Sequence, residues 1–328
     1  LELPSAHDAG RAAADRLEFL RDVLEGLSRL PKSIPSRHFY DAEGSRIFEE
    51  IMRMPGYYPT RRETEILTRY GRDILDGMGG VPFHLVDLGA GDAAKTRILL
   101  ERFHRSGSLL SYLPVDISGD ALERMSGGLR RDLAGLEVHP LAEDYSGALD
   151  RLRAAGIGPK LVLFLGSTIG NFDRREAVGF MKGVRASLAP GDGFLAGFDL
   201  RKEPRTILRA YDDETGVTAR FNLNLLARIN RELEADFEPR AFLHHAAYDP
   251  ADGVARSYLV SRKGQAVRIR MAGVTVRFDP WESIHTEDSF KYSPGEILAL
   301  AKASGFAEIA RYRDSEESFQ DSLWTPSS

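Results

Sequence analysis

From Arg11 to Leu30, apolar residues recur at helical spacing (Ala14, Leu17, Leu20, Leu24, Leu27), so the sequence predicts an amphipathic helix near its start. A polar loop follows, then a short helix near 46–54. In "GYYPTRRETEIL", Pro59 bars helix continuation, and Thr60 with Glu63 reads as a Thr-x-x-Glu capping box. That predicts a helix through about Leu75, with Tyr57 and Tyr58 in the loop before it.

Next the pattern alternates. Strands are predicted over 83–88, 111–117, 136–141, 160–166 and 191–199, with helices near 94–104, 119–134, 147–155 and 174–188. Strands that are apolar nearly throughout, separated by helices, mean a parallel sheet covered on both faces. The fold class expected is therefore a doubly wound α/β domain. After Arg201 the rhythm breaks. Phe221, Leu225, Ile229, Leu233 and Phe237 share one helical face, and "RAFLHHAAYD", "VARSYLVSRK" and "AVRIRMAGVTVRF" read as antiparallel strands of a second module. The chain then returns to a helix, "SPGEILALAKASGF", and two late strands that complete the first sheet, which makes the second module discontinuous.

Composition narrows the chemistry. With 328 residues, the chain is long enough for two cores, and a net charge of -5 without a Lys/Arg block argues against a nucleic-acid partner. No run approaches the roughly 20 apolar residues of a membrane span, and Glu2, Asp8, Arg11 and Asp15 interrupt any secretory apolar stretch. A cytoplasmic protein with no membrane association is expected, and a monomer. The absence of Cys removes disulfides, thiol catalysis and Cys-ligated zinc. His244 and His245 point to opposite faces of a strand with no third ligand in the pattern, so no metal is expected.

The candidate chemistry lies at strand ends. "VDLGAGDAAKTR" places Asp87, Gly89 and Gly91 before a helix start with Lys95. Glycine allows a sharp turn and close ligand approach there, or only the tight turn itself. Ala94 stands where a dinucleotide fingerprint wants its third glycine, and an acidic strand end suits S-adenosylmethionine, with its ammonium and sulfonium, better than a nicotinamide cofactor. Asp116 ends the second strand, where a carboxylate accepts both ribose hydroxyls or caps the helix beginning at Ser118. After the third strand, Asp144 is a candidate acceptor from the adenine amino group and Tyr145 a cover for its ring. "LVLFLGSTIGNF" ends the fourth strand: Gly166 admits the cofactor, Gly170 bends the chain away, and Asn171 offers a donor and an acceptor beside the methyl group, or closes a local turn.

Together with these, "FYD" (39–41), "YYPTR" (57–61), "LGSTIGN" (165–171), "RAYDD" (209–213), "FNLNLLARINREL" (221–233) and "TEDSFKY" (286–292) resemble the histidine-specific Nα-methyltransferases of ergothioneine biosynthesis, from about residue 30 to 326. The resemblance implies a Rossmann-like class I methyltransferase sheet over 62–200 and 289–328, which binds S-adenosylmethionine. A discontinuous α+β domain over 1–61 and 201–288 then binds the substrate. It implies trimethylation of the α-amine of L-histidine to hercynine, or action on another aromatic amino acid. Residue by residue, it assigns Tyr40, Gly89, Lys95, Asp116, Asp144, Tyr145 and Gly166 to the cofactor. Tyr57, Asn171 and Tyr211 go to the amino-acid head group, and Glu287 and Ser289 to the imidazole. Tyr40, Tyr57 and Asn171 are the candidate catalytic residues. Ser257 departs from the larger apolar residue that the resemblance leads one to expect near the imidazole. Glu287 and Ser289, two apart on an extended segment, project to one face, so a carboxylate and a hydroxyl can engage the ring nitrogens together.

Overall fold

The computed structural model describes residues 8–327. The chain forms two compact units: residues 1–57 with 203–289, and residues 58–202 with 290–328.

In the second unit, the strands Phe83–Leu88, Leu109–Asp116, Leu141–Ala142, Lys160–Phe164 and Gly193–Asp199 run parallel. Phe319–Pro326 pairs antiparallel to Gly193–Asp199, and Phe306–Arg313 pairs outside it, completing seven strands. Burial explains the apolar runs. Val86, Val162 and Phe164 enter one core with the helices Tyr145–Ala155, Arg174–Ala186 and Pro294–Ala303. Leu85, Leu161 and Leu163 enter another with Tyr58–Asp76, Thr96–Arg105 and Gly119–Asp132. Both faces are therefore apolar, and alternation is lost from the sequence.

In the first unit, the strands Lys32–Ser33, Ser283–Phe290, Val254–Ser261 and Phe242–Asp249 form a mixed sheet in that order. The helices Asp8–Ser28, Ala42–Arg53 and Val217–Leu233 share its core, where Phe19, Ile47, Phe221, Leu225, Ile229, Leu259 and Ile284 pack together. Asp41 ties this unit locally. It accepts the Gly44 N–H at 2.7 Å to cap Ala42–Arg53, and it also accepts from Asn224 at 2.8 Å.

Several expectations are corrected. The helix expected to be capped by Thr60 begins at Tyr58, with Pro59 in its first turn, where the missing N–H is harmless. Tyr58 is thus helical rather than in a loop, and Glu63 caps nothing: it is buried inside the helix. The strand expected over 136–141 shrinks to Leu141–Ala142, with only an isolated bridge from Val138 to Tyr112 before it. Phe237 lies beyond the helix Val217–Leu233, although it joins the same core. "AVRIRMAGVTVRF" is a hairpin, Gln265–Ile269 with Val274–Phe278, because Gly273 adopts φ +66° and reverses the chain.

Candidate active site

Parallel strands place their carboxyl ends along one edge, where open α/β sheets bind ligands. At that edge, Gly89 and Gly91 adopt φ +81° and +54°. Only glycine takes such angles without strain. A Cβ on Gly89 would lie 2.9 Å from the Tyr145 hydroxyl, whereas one on Gly91 would meet nothing within 4 Å. Asp116 accepts the Gly91 N–H at 3.1 Å and the Ser118 N–H at 3.1 Å, so it fixes the glycine turn and supports the next helix at once. Tyr145 is held edge-on by Phe164 and Phe180. Burial pushes its hydroxyl pKa up, which keeps it a neutral donor. Asp144, an exposed residue, caps the helix it precedes by accepting the Gly147 N–H at 2.7 Å.

Asp87, the acidic strand end read as suiting a cofactor with a cationic head, faces the protein interior. It is buried, accepts from the Thr96 hydroxyl at 2.7 Å and the Tyr112 hydroxyl at 2.9 Å, and burial pushes its pKa up to about 6. Its work is to lock the strand end to the following helix.

After Phe164 the chain turns sharply. Gly166 takes φ +78°, and Ser167 is left-handed at φ +56°, an uncommon state for a residue with a side chain. The Ser167 hydroxyl accepts the Asp199 N–H at 2.9 Å, which holds this conformation. The short turn Thr168–Asn171 follows, and the half-buried Asn171 amide makes no hydrogen bond among the described residues. Beneath it lies an ionic network. Asp199 accepts from the Tyr58 hydroxyl at 2.9 and 2.8 Å, and pairs with Lys202 and with Lys291 at 2.9 Å. Burial alone would raise its pKa, but the two ammonium groups hold the carboxyl below its ordinary value.

Two residues that sequence reasoning missed complete this edge. Glu63 accepts the Gly166 N–H on both oxygens, at 2.7 and 2.9 Å, and pairs with Lys95. Asp321 lies buried beside them with neither oxygen hydrogen-bonded. The Thr-x-x-Glu pattern disguised the first. Asp321 sits in a late strand with no motif to mark it.

The first unit carries the other candidates. The Tyr211 hydroxyl, at the end of the helix Pro204–Tyr211, donates to Ser289 Oγ at 2.8 Å across 78 residues of sequence. Glu287 lies two residues earlier on the strand Ser283–Phe290, and the buried Ser257 hydroxyl donates to its Oε2 at 3.5 Å. Thr286 anchors that strand, donating to Asn222 Oδ1 at 2.9 Å and the Ser257 carbonyl at 3.0 Å. Tyr40 and Tyr57 flank Phe48, their ring centroids 5.5 and 6.2 Å from it. Tyr40, expected on the cofactor side, therefore belongs by packing to the first unit.

The residues at the sheet edge suit S-adenosylmethionine. Gly91 leaves open space at the turn, Asp116 presents a carboxylate at the end of the second strand, and the Asn171 amide makes no hydrogen bond among the described residues. No cluster of three or more potential metal ligands occurs among the described residues, and no described helix is long and apolar enough to cross a membrane.

Comparison with known proteins gives a consistent picture. The family described as "Histidine-specific methyltransferase, SAM-dependent" matches residues 19–326. The histidine N-alpha-methyltransferase of Mycobacterium tuberculosis is 38% identical over 310 residues, covering 94% of this chain and 95% of that protein. Its namesake from Mycolicibacterium smegmatis is 37% identical over 315 residues, covering 96% of each. Ergothioneine biosynthesis protein 1 of Schizosaccharomyces pombe is 29% identical over 287 residues, which span 85% of this chain but 37% of that longer protein.

Proposed function

We propose a division of labour for this chain, which belongs to the histidine-specific, S-adenosylmethionine-dependent methyltransferases: the second unit carries the cofactor residues, and the first unit most of those for the amino acid. The reaction is methylation of the α-amine of L-histidine, the chemistry of ergothioneine biosynthesis. S-adenosylmethionine supplies the activated methyl group. Addition of three methyl groups, giving hercynine, is part of the reading.

In the cofactor role stand Tyr40, Gly89, Lys95, Asp116, Asp144, Tyr145 and Gly166. Asp116 accepts hydroxyl donors, and the glycines keep side chains out of the way. For the amino acid, Tyr57, Asn171 and Tyr211 take the head group, and Glu287 and Ser289 the imidazole. The single observation that best supports this is the grouping of Tyr211, Ser289 and Glu287, in which two hydroxyls and one carboxylate are organised around one strand. Ser257 beside Glu287 adds a third hydroxyl.

Methyl transfer demands a neutral amine held in line, within roughly 3–3.5 Å of the reacting carbon. Tyr40, Tyr57 and Asn171 are assigned to orient that amine through hydroxyl and amide groups, its proton leaving to solvent water either directly or by relay along the hydroxyls. A neighbouring sulfonium disfavours the ammonium form, so no strong base is required. As methyl groups accumulate, the product becomes a fixed cation, which aromatic faces accommodate. Both reactants are metabolites of the cell interior, and a monomer acting in the cytoplasm belongs to the same reading.

Mass spectrometry of L-histidine incubated with the protein and S-adenosylmethionine is the decisive test. Products carrying one, two and three added methyl groups are expected. Turnover of tryptophan or tyrosine with none of histidine would overturn the substrate assignment.

A further inference from the structure

We propose that Glu63 is a positioning residue for the cofactor, fixing the Gly166 backbone and the Lys95 ammonium with one buried carboxylate. The inference rests on the assignment of Gly166 and Lys95 to the cofactor.

Four segments converge on this carboxylate. Glu63 comes from the helix Tyr58–Asp76 and is completely buried, while Lys95 immediately precedes Thr96–Arg105. Gly166 follows the strand Lys160–Phe164, and its N–H reaches both Glu63 oxygens. Gly197, in the strand Gly193–Asp199, makes the space: a Cβ there would fall 2.3 Å from Glu63 Oε1. A Cβ on Gly166 would in turn lie 3.2 Å from Lys95 Nζ. The chain thus gives up side chains at two positions around one carboxylate.

A buried carboxylate is costly unless it is paired and hydrogen-bonded, and Glu63 is both. Lys95, by contrast, keeps a side-chain exposure of 20%, so it alone of the pair reaches toward solvent. Replacing Glu63 by Gln removes the charge that holds the Lys95 head and leaves the left-handed Gly166 N–H a single neutral acceptor in place of two carboxylate oxygens. A merely structural ion pair would not need to sit on the backbone of a cofactor loop.

Asp321 completes the cluster. Its two oxygens are buried without hydrogen bonds, and a Cβ on Gly197 would lie 3.1 Å from Oδ1. Burial, and then the Glu63 charge, push its carboxyl well above the ordinary range. The Lys95 ammonium and the Gly166 N–H both go to Glu63, and Asp321 has neither. Replacing Asp321 by Asn leaves the Glu63–Lys95 pair and the Gly166 hydrogen bonds in place; replacing Glu63 by Gln does not.

The test uses calorimetric titration of the full chain with S-adenosylhomocysteine, together with steady-state KM for histidine at saturating S-adenosylmethionine. Glu63→Gln is expected to weaken S-adenosylhomocysteine at least tenfold while the histidine KM stays within twofold. Glu63→Asp, which keeps the charge but is one methylene shorter, is expected to show a smaller loss in the same direction. Asp321→Asn is expected to bind within twofold of the parent. Cofactor affinity within twofold in Glu63→Gln, or a parallel rise in histidine KM, overturns the proposal. If Glu63→Gln does not fold, unchanged affinity in Glu63→Asp does so instead. An Asp321→Asn variant as weak as Glu63→Gln overturns the assignment of the positioning role to Glu63. Failure of the parent chain to bind S-adenosylhomocysteine would instead overturn the cofactor reading on which the proposal rests.

Discussion

One methyl group, placed at two glycines of the same unit, should act with opposite sign. At Gly197 the added Cβ of alanine would sit 2.3 Å from Glu63 Oε1 and 3.1 Å from both Asp321 Oδ1 and a Phe319 ring carbon. No flexible end can yield there, because Glu63 is tied to Gly166 and Lys95. Overpacking costs about 1–3 kcal/mol, and a displaced charge-assisted hydrogen bond costs about 1.5–3 kcal/mol more. The total of about 2.5–6 kcal/mol corresponds to a fall in Tm of roughly 5–24 °C for a unit of this size. At Gly179, exposed within the helix Arg174–Ala186, a Cβ meets nothing within 4 Å. There alanine removes glycine's entropic penalty and stabilises by about 0.5–1 kcal/mol. Differential scanning calorimetry of Gly197→Ala and Gly179→Ala reads both. A Gly197→Ala transition within about 2 °C of the parent would refute the close packing of Glu63 against this strand.

Other expectations follow from the remaining sites. Glu287→Ala should raise the histidine KM about tenfold, close to 1.4 kcal/mol, while calorimetric S-adenosylhomocysteine affinity stays within twofold. Asp116→Ala should do the reverse, weakening the cofactor about tenfold by removing a carboxylate acceptor, with an unchanged far-UV spectrum. His244 has both ring nitrogens buried and without hydrogen bonds, and burial lowers its pKa. With the folded value below the unfolded one, the unfolded chain takes up the proton first. Stability from this group is therefore full above about pH 6.5 and is lost as pH falls below it. His244→Phe should flatten that loss in urea titrations between pH 7.5 and 5.5; an unchanged slope would contradict the burial argument. Lys160 pairs with Asp192 at 2.5 Å, both buried, so Lys160→Met should destabilise by about 3–5 kcal/mol. Restoring neutrality with Asp192→Asn should recover part of it.

Some of this was legible in the sequence for a physical reason. Residues 161–164 alternate between two cores, so the strand reads as an unbroken apolar run, and neighbouring helices confirm the parallel arrangement. The stretch around Val138 was misread because it is apolar enough for a strand yet makes only one isolated bridge before Leu141. Sequence pattern reports burial, not pairing. Glu63 was misread because a capping box and a buried glutamate three residues after a threonine look identical on paper. Only the Gly166 N–H, 103 residues away, separates them. Asp87 and Asp116 illustrate the same limit. Each ends a strand beside the glycine turn, but one is sealed by Thr96 and Tyr112 while the other lies at the surface. The hydrogen bond from Tyr211 to Ser289 follows from no periodicity at all; the family resemblance singled out both residues, and the fold joins them.

The strand Phe319–Pro326 lies between Gly193–Asp199 and Phe306–Arg313. During translation, the ribosome has made five neighbours of that sheet long before it reaches this ribbon. Until then, the amides along Gly193–Asp199 form an open template that a nascent chain on an adjacent ribosome can pair with. Slower initiation or lower culture temperature, which thins the traffic of unfinished chains, should therefore raise the yield of native protein more than any change in the catalytic residues.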